Sequence, residues 1–379
     1  MTREEVNNLA LSKIDGTKCL ILELITGMGK TKVAINLMNH ICDRVFRNDE
    51  TSTNILILVA KTVHKQTWRK EIEKWGGVKS DYITIECYES LKNYENSRFD
   101  IVVADEMQHL SDARLDVLQT IHINEAFIGL SATIKRDMRD YFIHTYKAEV
   151  IKCGLREAVE DEVLPEPIVY LLPLTLDEKN YTFKLKKFGK DIITTQKGYY
   201  EGISSLIEWY KNKYFNSRNE RIKNLWLSTA GKRLKWCAEQ KEVLVLSLLN
   251  KFKNYKTLTF CSSIEQSERL GKYNITSKNK SSIQNLDMFN EGKIKHITAC
   301  NILNEGVNLT NCRIGIFCNL NSSEIVVKQR VGRLLRHKSP VLVIPYYKDT
   351  REEELVQVML EDYNPKLVHK INSIEEIRV

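Results

Sequence analysis

The stretch that decides the fold of this chain is Thr26-Gly27-Met28-Gly29-Lys30-Thr31. An apolar run typical of a strand precedes it at residues 19–24, and a segment with helical periodicity follows it at residues 32–46. A glycine turn between a strand and a helix lets backbone N–H groups close around phosphate oxygens, and the positive end of the helix dipole strengthens the attraction. The sequence therefore predicts a phosphate-binding loop within a strand–loop–helix unit.

Each residue of this loop has an expected role. Lys30 is expected to reach the β- and γ-phosphates of a nucleotide, and Thr31 to hold Mg²⁺. The backbone of the remaining loop residues is expected to cradle the phosphates: Thr26, Gly27, Met28 and Gly29. The alternative is an ordinary glycine turn that binds no ligand, and the motifs farther along the chain favour the phosphate loop over it.

Short apolar runs recur along the chain, with helical stretches between them. In the first half they occupy residues 20–24, 54–60, 82–86, 100–104 and 126–130. Such runs alternating with helices indicate a parallel sheet that is covered on both faces. A second pattern of the same kind begins at residue 257 and continues to residue 345.

The alternation of strands and helices stops after about residue 150, and the proline-rich segment Leu164-Pro165-Glu166-Pro167 is the clearest break between structural elements in the chain. We therefore predict an α/β fold of two tandem domains with parallel sheets. The predicted boundaries are 1–150 for the N-terminal domain and 151–350 for the C-terminal domain, which includes a basic, aromatic-rich helical insert at about 176–250. Residues 351–379 are predicted to form a charged C-terminal tail.

The net charge of +8 is unevenly distributed. Between residues 179 and 256 there are 18 Lys and Arg but only six Asp and Glu, so the rest of the chain is acidic. A basic block of this kind suits a polyanion such as nucleic acid, and aromatic residues between the cations can stack on bases. The alternatives are a solvated helical face for the charges and the packing of a helical hairpin for the rings.

Composition indicates a protein of the cytoplasm without a membrane span. No window approaches about 18 uninterrupted apolar residues, and the first residues do not resemble a signal peptide. The nine cysteines are an odd number without a C-x-x-C pair, which favours reduced thiols over disulfides or a zinc site. Abundant Lys, Asn and Ile are typical of AT-rich genomes, so we expect the cytoplasm of a bacterial cell or a phage-infected host.

Two carboxylates follow the predicted strand at residues 100–104, within Asp105-Glu106-Met107-Gln108-His109. Side chains at the carboxyl end of a parallel strand face the crevice where α/β sheets bind ligands. Asp105 is expected to hold Mg²⁺, and Glu106 to orient and deprotonate the attacking water. Alone, the pair is typical of surface turns, whereas downstream of a phosphate loop it indicates nucleotide hydrolysis. Ser131 and Thr133 follow the next strand and can link the nucleotide site to the neighbouring domain by hydrogen bonds.

The second half carries a basic segment, Gln329-Arg330-Val331-Gly332-Arg333-Leu334-Leu335-Arg336. Arg333 and Arg336 are three residues apart, so they share one face of a helix. Two guanidinium groups on one face suit a phosphoryl transition state, where an arginine is worth ~10³–10⁵ in rate. The alternative is a basic surface helix. Upstream, a glycine-containing loop with Gly306 and Asn308 is expected to contact nucleotide, nucleic acid or both.

These segments resemble, in order and spacing, the motifs of superfamily 2 helicases of the DExxH type, which contain two RecA-like domains with ATP in the cleft between them. The resemblance extends from about residue 20 to about residue 337 and is carried by TGMGKT, DEMQH, SAT, FCSS, NEGVNL and QRVGRLLR. Residues 129–137, GLSATIKRD, and residues 155–159, LREAV, resemble the branch of XPB-like DNA-repair, phage recombination and type I or III restriction motors.

The resemblance implies ATP and Mg²⁺ as cofactors and a catalytic set from both domains: Lys30, Asp105, Glu106, Gln329, Arg333 and Arg336. It implies that Gly306 and Asn308 sense the state of the nucleotide. Coupling of hydrolysis to movement is implied for His109, Ser131 and Thr133. Contacts with the nucleic-acid backbone are implied for the segment that resembles motif Ia: Lys61, Thr62, Gln66 and Trp68. Because the N-terminal segment lacks the glutamine with which many relatives recognise adenine, selectivity for ATP over other nucleoside triphosphates stays open.

The leading functional hypothesis is an ATP-dependent nucleic-acid helicase or translocase, with DNA favoured over RNA. The alternatives are a translocase on duplex or branched DNA that does not separate long duplexes, an RNA helicase, and a nucleotide-switched adaptor that binds nucleic acid and barely turns over. No nuclease motif is visible, so cleavage would require a protein partner, such as a nuclease or a replication or recombination factor.

Overall fold

The computed structural model describes residues 1–47, 52–80, 82–187, 190–300, 309–320, 337–361 and 363–379. The chain divides into two compact units, the first formed by Met1–Glu166 and the second opening at Pro167. Among the described residues, no helix is long and apolar enough to cross a lipid bilayer. All nine cysteines are buried.

The first unit is built around a parallel sheet with the strand order β3-β2-β4-β5-β1-β6. Its strands are β1 (Cys19–Leu24), β2 (Asn54–Val59), β3 (Tyr82–Cys87), β4 (Arg98–Asp105), β5 (His122–Ser131) and β6 (Glu149–Cys153). Its helices are α1 (Arg3–Ile14), α2 (Lys30–Arg47), α3 (Thr62–Lys74), α4 (Asp112–Thr120), α5 (Arg136–Tyr146) and α6 (Leu155–Glu160). All six residues of β1 are buried, as expected for a strand covered on both faces.

The strand order brings three polar segments to one edge of this sheet. Strand β5 pairs in parallel with β1 on one side and with β4 on the other. The carboxyl ends of β1, β4 and β5 therefore lie side by side, and each is followed by one of the polar segments identified in the sequence.

The predicted domain boundary after residue 150 is wrong, because β6 belongs to the first unit. Strand β6 pairs with β1, from Leu20 opposite Glu149 to Leu24 opposite Cys153. As an edge strand it carries exposed Glu149 and Lys152, so it lacks the continuous apolar run by which the inner strands were found. The first unit ends instead at Glu166, within the proline-rich segment at residues 164–167.

The second unit contains a second parallel sheet with the strand order β11-β12-β10-β13-β14-β7-β15. Its strands are β7 (Ile168–Leu174), β10 (Thr257–Phe260), β11 (Asn274–Ile275), β12 (His296–Ala299), β13 (Ile314–Phe317), β14 (Val341–Tyr347) and β15 (Val368–Lys370). Its helices are α7 (Gln196–Ser217), α8 (Glu220–Glu239), α9 (Glu242–Lys251), α10 (Ile264–Leu270), α11 (Ser282–Asn290) and α12 (Arg351–Leu360). The prediction of an α/β fold with two parallel sheets is confirmed.

Two predictions about the second unit need correction. The segment predicted as a helical insert begins with an antiparallel hairpin of β8 (Phe183–Lys187) and β9 (Lys190–Thr194), and only then continues as α7 and α8. Residues 351–379 are not a tail, because β15 pairs with β7 in the sheet and α12 carries buried Leu355 and Val356. The high charge of these residues led to the prediction of a tail, because only one face of each element is apolar and the sequence shows no continuous apolar run.

A buried ion pair joins α9 to α12 in this unit. Lys241 Nζ donates to Glu352 Oε1 at 2.6 Å and to the carbonyl oxygen of Pro345 at 3.1 Å. Glu352 Oε2 accepts from the backbone N–H of Tyr347 at 3.0 Å. The two charged side chains are 0% and 1% exposed, so each charge depends on the other for its stability.

We expect Glu352→Gln to destabilise the second unit by about 3–5 kcal/mol, because it leaves the Lys241 ammonium buried without a countercharge. Urea unfolding, followed by hydrogen exchange of β14 and β15, measures the loss. The double variant Lys241→Met/Glu352→Met is expected to recover most of the stability, since it removes both charges. Glu178→Gln, which breaks a surface pair with Lys197, serves as the control. Equal losses in the single and double variants would contradict this account.

Candidate nucleotide-binding site

The loop after β1 adopts a conformation that requires its two glycines. Gly27 has φ +104° and Gly29 has φ +86°, in the left-handed region that side chains disfavour. A Cβ on Gly27 would also lie 2.9 Å from Leu164 Cδ2, so the proline-rich segment at the end of the first unit packs against the loop. Helix α2 begins at Lys30, directly after the turn, and its first N–H groups are available to an anion.

Two basic side chains hold the loop in place. Lys30 Nζ donates to the carbonyl oxygen of Leu24 at 2.9 Å, across the loop that it closes. Arg3, at the start of α1, donates from Nε and Nη2 to the carbonyl oxygen of Gly27, at 3.1 and 3.0 Å. Arg3 was not predicted from the sequence, since no motif or periodicity distinguishes it from the other basic residues.

Asp105 ends β4 at the same edge of the sheet and is held by two aromatic residues. Trp68 Nε1 donates to Asp105 Oδ2 at 2.8 Å, and the Tyr88 hydroxyl donates to the Asp105 carbonyl oxygen at 2.9 Å. The pKa of the Asp105 carboxyl is raised to about 6. Burial is the largest cause and the nearby Glu106 carboxylate is the second, and both outweigh the opposite effects of the Trp68 N–H and the Lys30 ammonium. Trp68 and Lys30 therefore support the ionised form that a cation needs.

Glu106 occupies a strained backbone position and belongs to a chain of hydrogen bonds. Its φ of 52° lies in the left-handed region, a conformation that is costly for a residue with a side chain and is concentrated at functional sites. Gln108 Nε2 donates to Glu106 Oε2 at 2.7 Å, and Ser131 Oγ donates to Gln108 Oε1 at 2.6 Å. Ser131 Oγ also accepts from the backbone N–H of Thr133 at 3.1 Å.

This chain of hydrogen bonds joins two segments that the sequence analysis had described separately. Gln108 stands between the carboxylate of Glu106 and the hydroxyl of Ser131, and its amide serves as donor to one and acceptor to the other. The sequence analysis gave Gln108 no role, although its position two residues after Glu106 was a usable signal. The hydroxyl of Thr133 is buried without a hydrogen-bond partner within the described residues. It can therefore form a hydrogen bond with a bound ligand or water.

The His109 ring packs beside the end of β4, and its backbone N–H donates to the carbonyl oxygen of Glu106 at 3.0 Å. Its ring stacks on Tyr88, with the ring centroids 6.1 Å apart and the planes at 28°. Its carbonyl oxygen accepts from Arg114 Nη1 at 2.8 Å. Because Tyr88 also donates to Asp105, the histidine packs against the residue that fixes the carboxyl end of β4.

The prediction that Trp68 contacts nucleic acid is wrong. Its side chain is 2% exposed and its N–H is directed at Asp105, because it lies on the core face of the amphipathic helix α3. Lys61, Thr62 and Gln66 are exposed at the start of the same helix. For these three, contact with nucleic acid stays a prediction, whereas Trp68 is hydrogen-bonded to Asp105.

Five predicted site residues lie outside the described part of the chain: Gly306, Asn308, Gln329, Arg333 and Arg336.

The residues at this edge fit a magnesium nucleotide. The Thr31 hydroxyl and the Asp105 carboxylate supply the oxygen ligands that Mg²⁺ prefers, and the glycine turn exposes backbone N–H groups to phosphate. Within the described residues there is no group of three or more His, Cys, Asp or Glu that could hold a metal ion. A cation at Asp105 would therefore complete its coordination with phosphate oxygens and water, as Mg²⁺ commonly does.

Two family models match this chain in the order expected from its motifs. Residues 2–136 match the model for the type III restriction enzyme res subunit, and residues 219–338 match the helicase conserved C-terminal domain. The chain belongs to helicase superfamily 2. The first match includes the phosphate loop, Asp105 and Glu106, and the second includes the basic segment at residues 329–336.

Similar proteins agree with this assignment. The DNA 3'-5' translocase XPB2 of Sulfurisphaera tokodaii is 21% identical over 363 residues, which are 84% of this chain and 75% of that protein. A fragment of a putative HsdR subunit of a type I restriction enzyme from Vibrio vulnificus YJ016 superposes with a TM-score of 0.62 at 19% identity, over 97% of this chain and 68% of that one.

A further solved structure shows the same fold. Dbp5 of S. cerevisiae, bound to RNA and ADP BeF3, superposes with a TM-score of 0.57 at 12% identity, over 94% of this chain and 86% of that one. The two units of this chain, each an α/β fold around a parallel sheet, thus have the architecture of tandem RecA-like helicase domains. The prediction of a superfamily 2 helicase is confirmed.

Proposed function

We propose that this protein is an ATP-dependent motor on nucleic acid, a helicase or translocase that acts on DNA in preference to RNA. The observation that supports it best is the meeting of three polar segments at one edge of the first sheet. These are the phosphate loop after β1, the carboxylates after β4, and Ser131 at the end of β5. A nucleotide-binding protein that only switches between states would not need the carboxylate–amide–hydroxyl chain that holds Glu106.

The proposed division of roles follows from the contacts. The loop backbone binds the phosphates, and Lys30 exchanges its bond to the Leu24 carbonyl for one to the β- and γ-phosphates. Thr31 and Asp105 would hold Mg²⁺, which would supply positive charge next to the phosphoryl oxygens. Glu106 accepts the proton of the attacking water, and Gln108 fixes the direction of its carboxylate.

The residues outside the described part of the chain keep their proposed roles. Arg333 and Arg336 stabilise the negative charge of the phosphoryl transition state with Gln329, and Gly306 and Asn308 sense the state of the nucleotide. His109, Ser131 and Thr133 couple hydrolysis to movement of the two RecA-like units. Lys61, Thr62 and Gln66, exposed at the N-terminal end of α3, contact the nucleic-acid backbone.

DNA is favoured over RNA because XPB2 of Sulfurisphaera tokodaii, which matches 84% of this chain, is a DNA 3'-5' translocase. The first experiment is steady-state ATP hydrolysis without nucleic acid and with single-stranded, duplex or forked DNA or with RNA, at two salt concentrations. We expect stimulation by DNA that weakens at the higher salt, because phosphate contacts release counterions. Stimulation by RNA alone would favour an RNA helicase, and stimulation by duplex without strand separation would favour a translocase. Equal hydrolysis in all five conditions would contradict a motor.

We expect Trp68→Phe to raise the Mg²⁺ concentration for half-maximal ATP hydrolysis by about 10- to 100-fold, since the variant keeps the buried ring but releases an oxygen of a metal ligand. Binding of ATP in EDTA is expected to be unchanged. Trp75→Phe is the matched control, because Trp75 Nε1 donates to surface Glu71 at 2.8 Å. An unaltered magnesium requirement in Trp68→Phe would show that the indole bond does not position Asp105.

A further inference from the structure

Helices α7 and α8 form an antiparallel hairpin with a defined turn. Arg218 ends α7 in the left-handed conformation, with φ 51°, and its N–H donates to the Tyr214 carbonyl oxygen. Asn219 caps α8 by accepting from the N–H of Arg221 at 2.9 Å. Because contacts across the hairpin join Ser204 to Arg233 and Tyr214 to Trp226, the two helices run side by side as far as the turn. The turn is therefore a fixed end rather than a loose loop.

The aromatic residues of this hairpin differ between its base and its tip. At the base, Tyr199 and Trp236 pack together with Phe183, and the ring centroids of Tyr199 and Trp236 are 5.0 Å apart. Toward the tip, Trp209 is 53% exposed and Phe215 is 49% exposed. Packing buries the rings at the base, whereas Trp209 and Phe215 keep about half of their surface in water although Phe215 contacts Trp226, with the ring centroids 6.1 Å apart. Exposed aromatic faces of this kind cost free energy in water.

Cations stand beside the exposed rings. Lys213 Nζ lies 4.8 Å from the ring centroid of Trp209, and the Arg218 guanidinium lies 5.4 Å from that of Phe215. Residues 209–227 contain five Lys and Arg and one Glu. Within the described residues, no carboxylate forms an ion pair with Lys213, Arg218 or Arg221. The tip thus offers aromatic faces and uncompensated positive charge at the same place.

We propose that this tip, comprising Trp209, Lys213, Phe215, Arg218 and Arg221, is a binding site for single-stranded nucleic acid. The bases stack on the two rings, and the cations contact the phosphates. A duplex presents only phosphates and groove edges, because its bases are stacked on one another, so it would leave the rings in water. The two rings are six residues apart on α7, which is about 9 Å along the helix axis and about 120° around it, a separation that a few nucleotides can span.

This inference rests on the proposed action on nucleic acid and adds the form of strand that the second unit binds. The test is the anisotropy of fluorescent 20-nucleotide poly(dT), poly(rU) and a blunt 20-base-pair duplex, with the full chain and no nucleotide. For Trp209→Ala and for Phe215→Ala we expect affinity for single strands to fall at least ~5-fold, as loss of one stacked base implies. Affinity for the duplex is expected to change less than twofold.

Two further variants separate stacking from folding and from charge. Phe215→Leu keeps an apolar contact with Trp226 but cannot stack a base, so it is expected to weaken single-strand binding as Phe215→Ala does. Arg218→Ala/Arg221→Ala is expected to lower the slope of log affinity against log salt by ~1.4, which corresponds to two lost phosphate contacts on a single strand. Trp75→Ala, at an exposed ring of the first unit, is the control.

The outcomes distinguish this site from the proposed motor. Unchanged single-strand affinity in the ring variants, or an equal loss for duplex and single strand, would overturn the tip as a single-strand site, and the first would leave a protein partner as its occupant. Absence of single-strand binding by the unaltered chain would overturn it as well. The proposed motor fails separately, if no nucleic acid stimulates ATP hydrolysis by the unaltered protein.

Discussion

Lys30→Ala is expected to abolish measurable ATP hydrolysis. The ammonium group sits within the phosphate loop, 2.9 Å from the carbonyl oxygen of Leu24, at the point where the β- and γ-phosphates are proposed to bind. Alanine cannot reach a phosphate, and removal of a preorganised group that stabilises transition-state charge costs ~10²–10³ in rate for a single neutral donor. The loss of a full positive charge is expected to exceed this range.

The measurement is steady-state ATP hydrolysis with saturating nucleic acid, together with direct binding of labelled nucleotide. Lys32→Ala is the matched control, because Lys32 lies two residues farther along α2 and its ammonium stands 4.2 Å from the ring centroid of Trp75 instead. The control is expected to keep most of its turnover. Turnover in Lys30→Ala at the level of the control would remove the loop from the proposed site.

Glu106→Gln is expected to separate nucleotide binding from hydrolysis. Glutamine has the same shape and keeps an oxygen that can accept from Gln108 Nε2, so the hydrogen-bonded chain to Ser131 is preserved. It cannot accept the proton of the attacking water, and loss of a general base costs ~10²–10⁴ in rate. We therefore expect kcat to fall by this factor while the affinity for ATP changes little.

Single-turnover hydrolysis and equilibrium binding of ATP test this separation. Glu89→Gln is the control, since Glu89 is an exposed carboxylate in the same unit that pairs with Arg114. If Glu106→Gln retains the turnover of Glu89→Gln, another group accepts the proton. If it loses ATP binding together with hydrolysis, Glu106 serves the structure of the site rather than the chemistry.

The strands of this protein differ in how clearly their sequences predict them. Strands β1, β4 and β5 and the loops after them were predictable, because each strand–loop–helix unit is encoded by neighbouring residues. Strands β6 and β15 were not, because they lie at sheet edges, where residues such as Glu149 and Lys370 face solvent and no continuous apolar run marks the strand. The hairpin of β8 and β9 was not predicted for the same reason, because its many lysines interrupt any apolar run.

For the candidate site, the sequence by itself determined which groups are proposed to bind phosphate and which carboxylates follow β4, since these depend on residue type and on short spacing. Tertiary structure alone decided what holds those groups. The partner of Asp105 is Trp68, 37 residues away, and the link between Glu106 and Ser131 runs through Gln108, 23 residues before the serine. Hydrogen bonds between distant segments depend on strand order and helix rotation, which no local pattern encodes. For this reason the sequence placed Trp68 on nucleic acid, and the fold placed it against the proposed magnesium ligand.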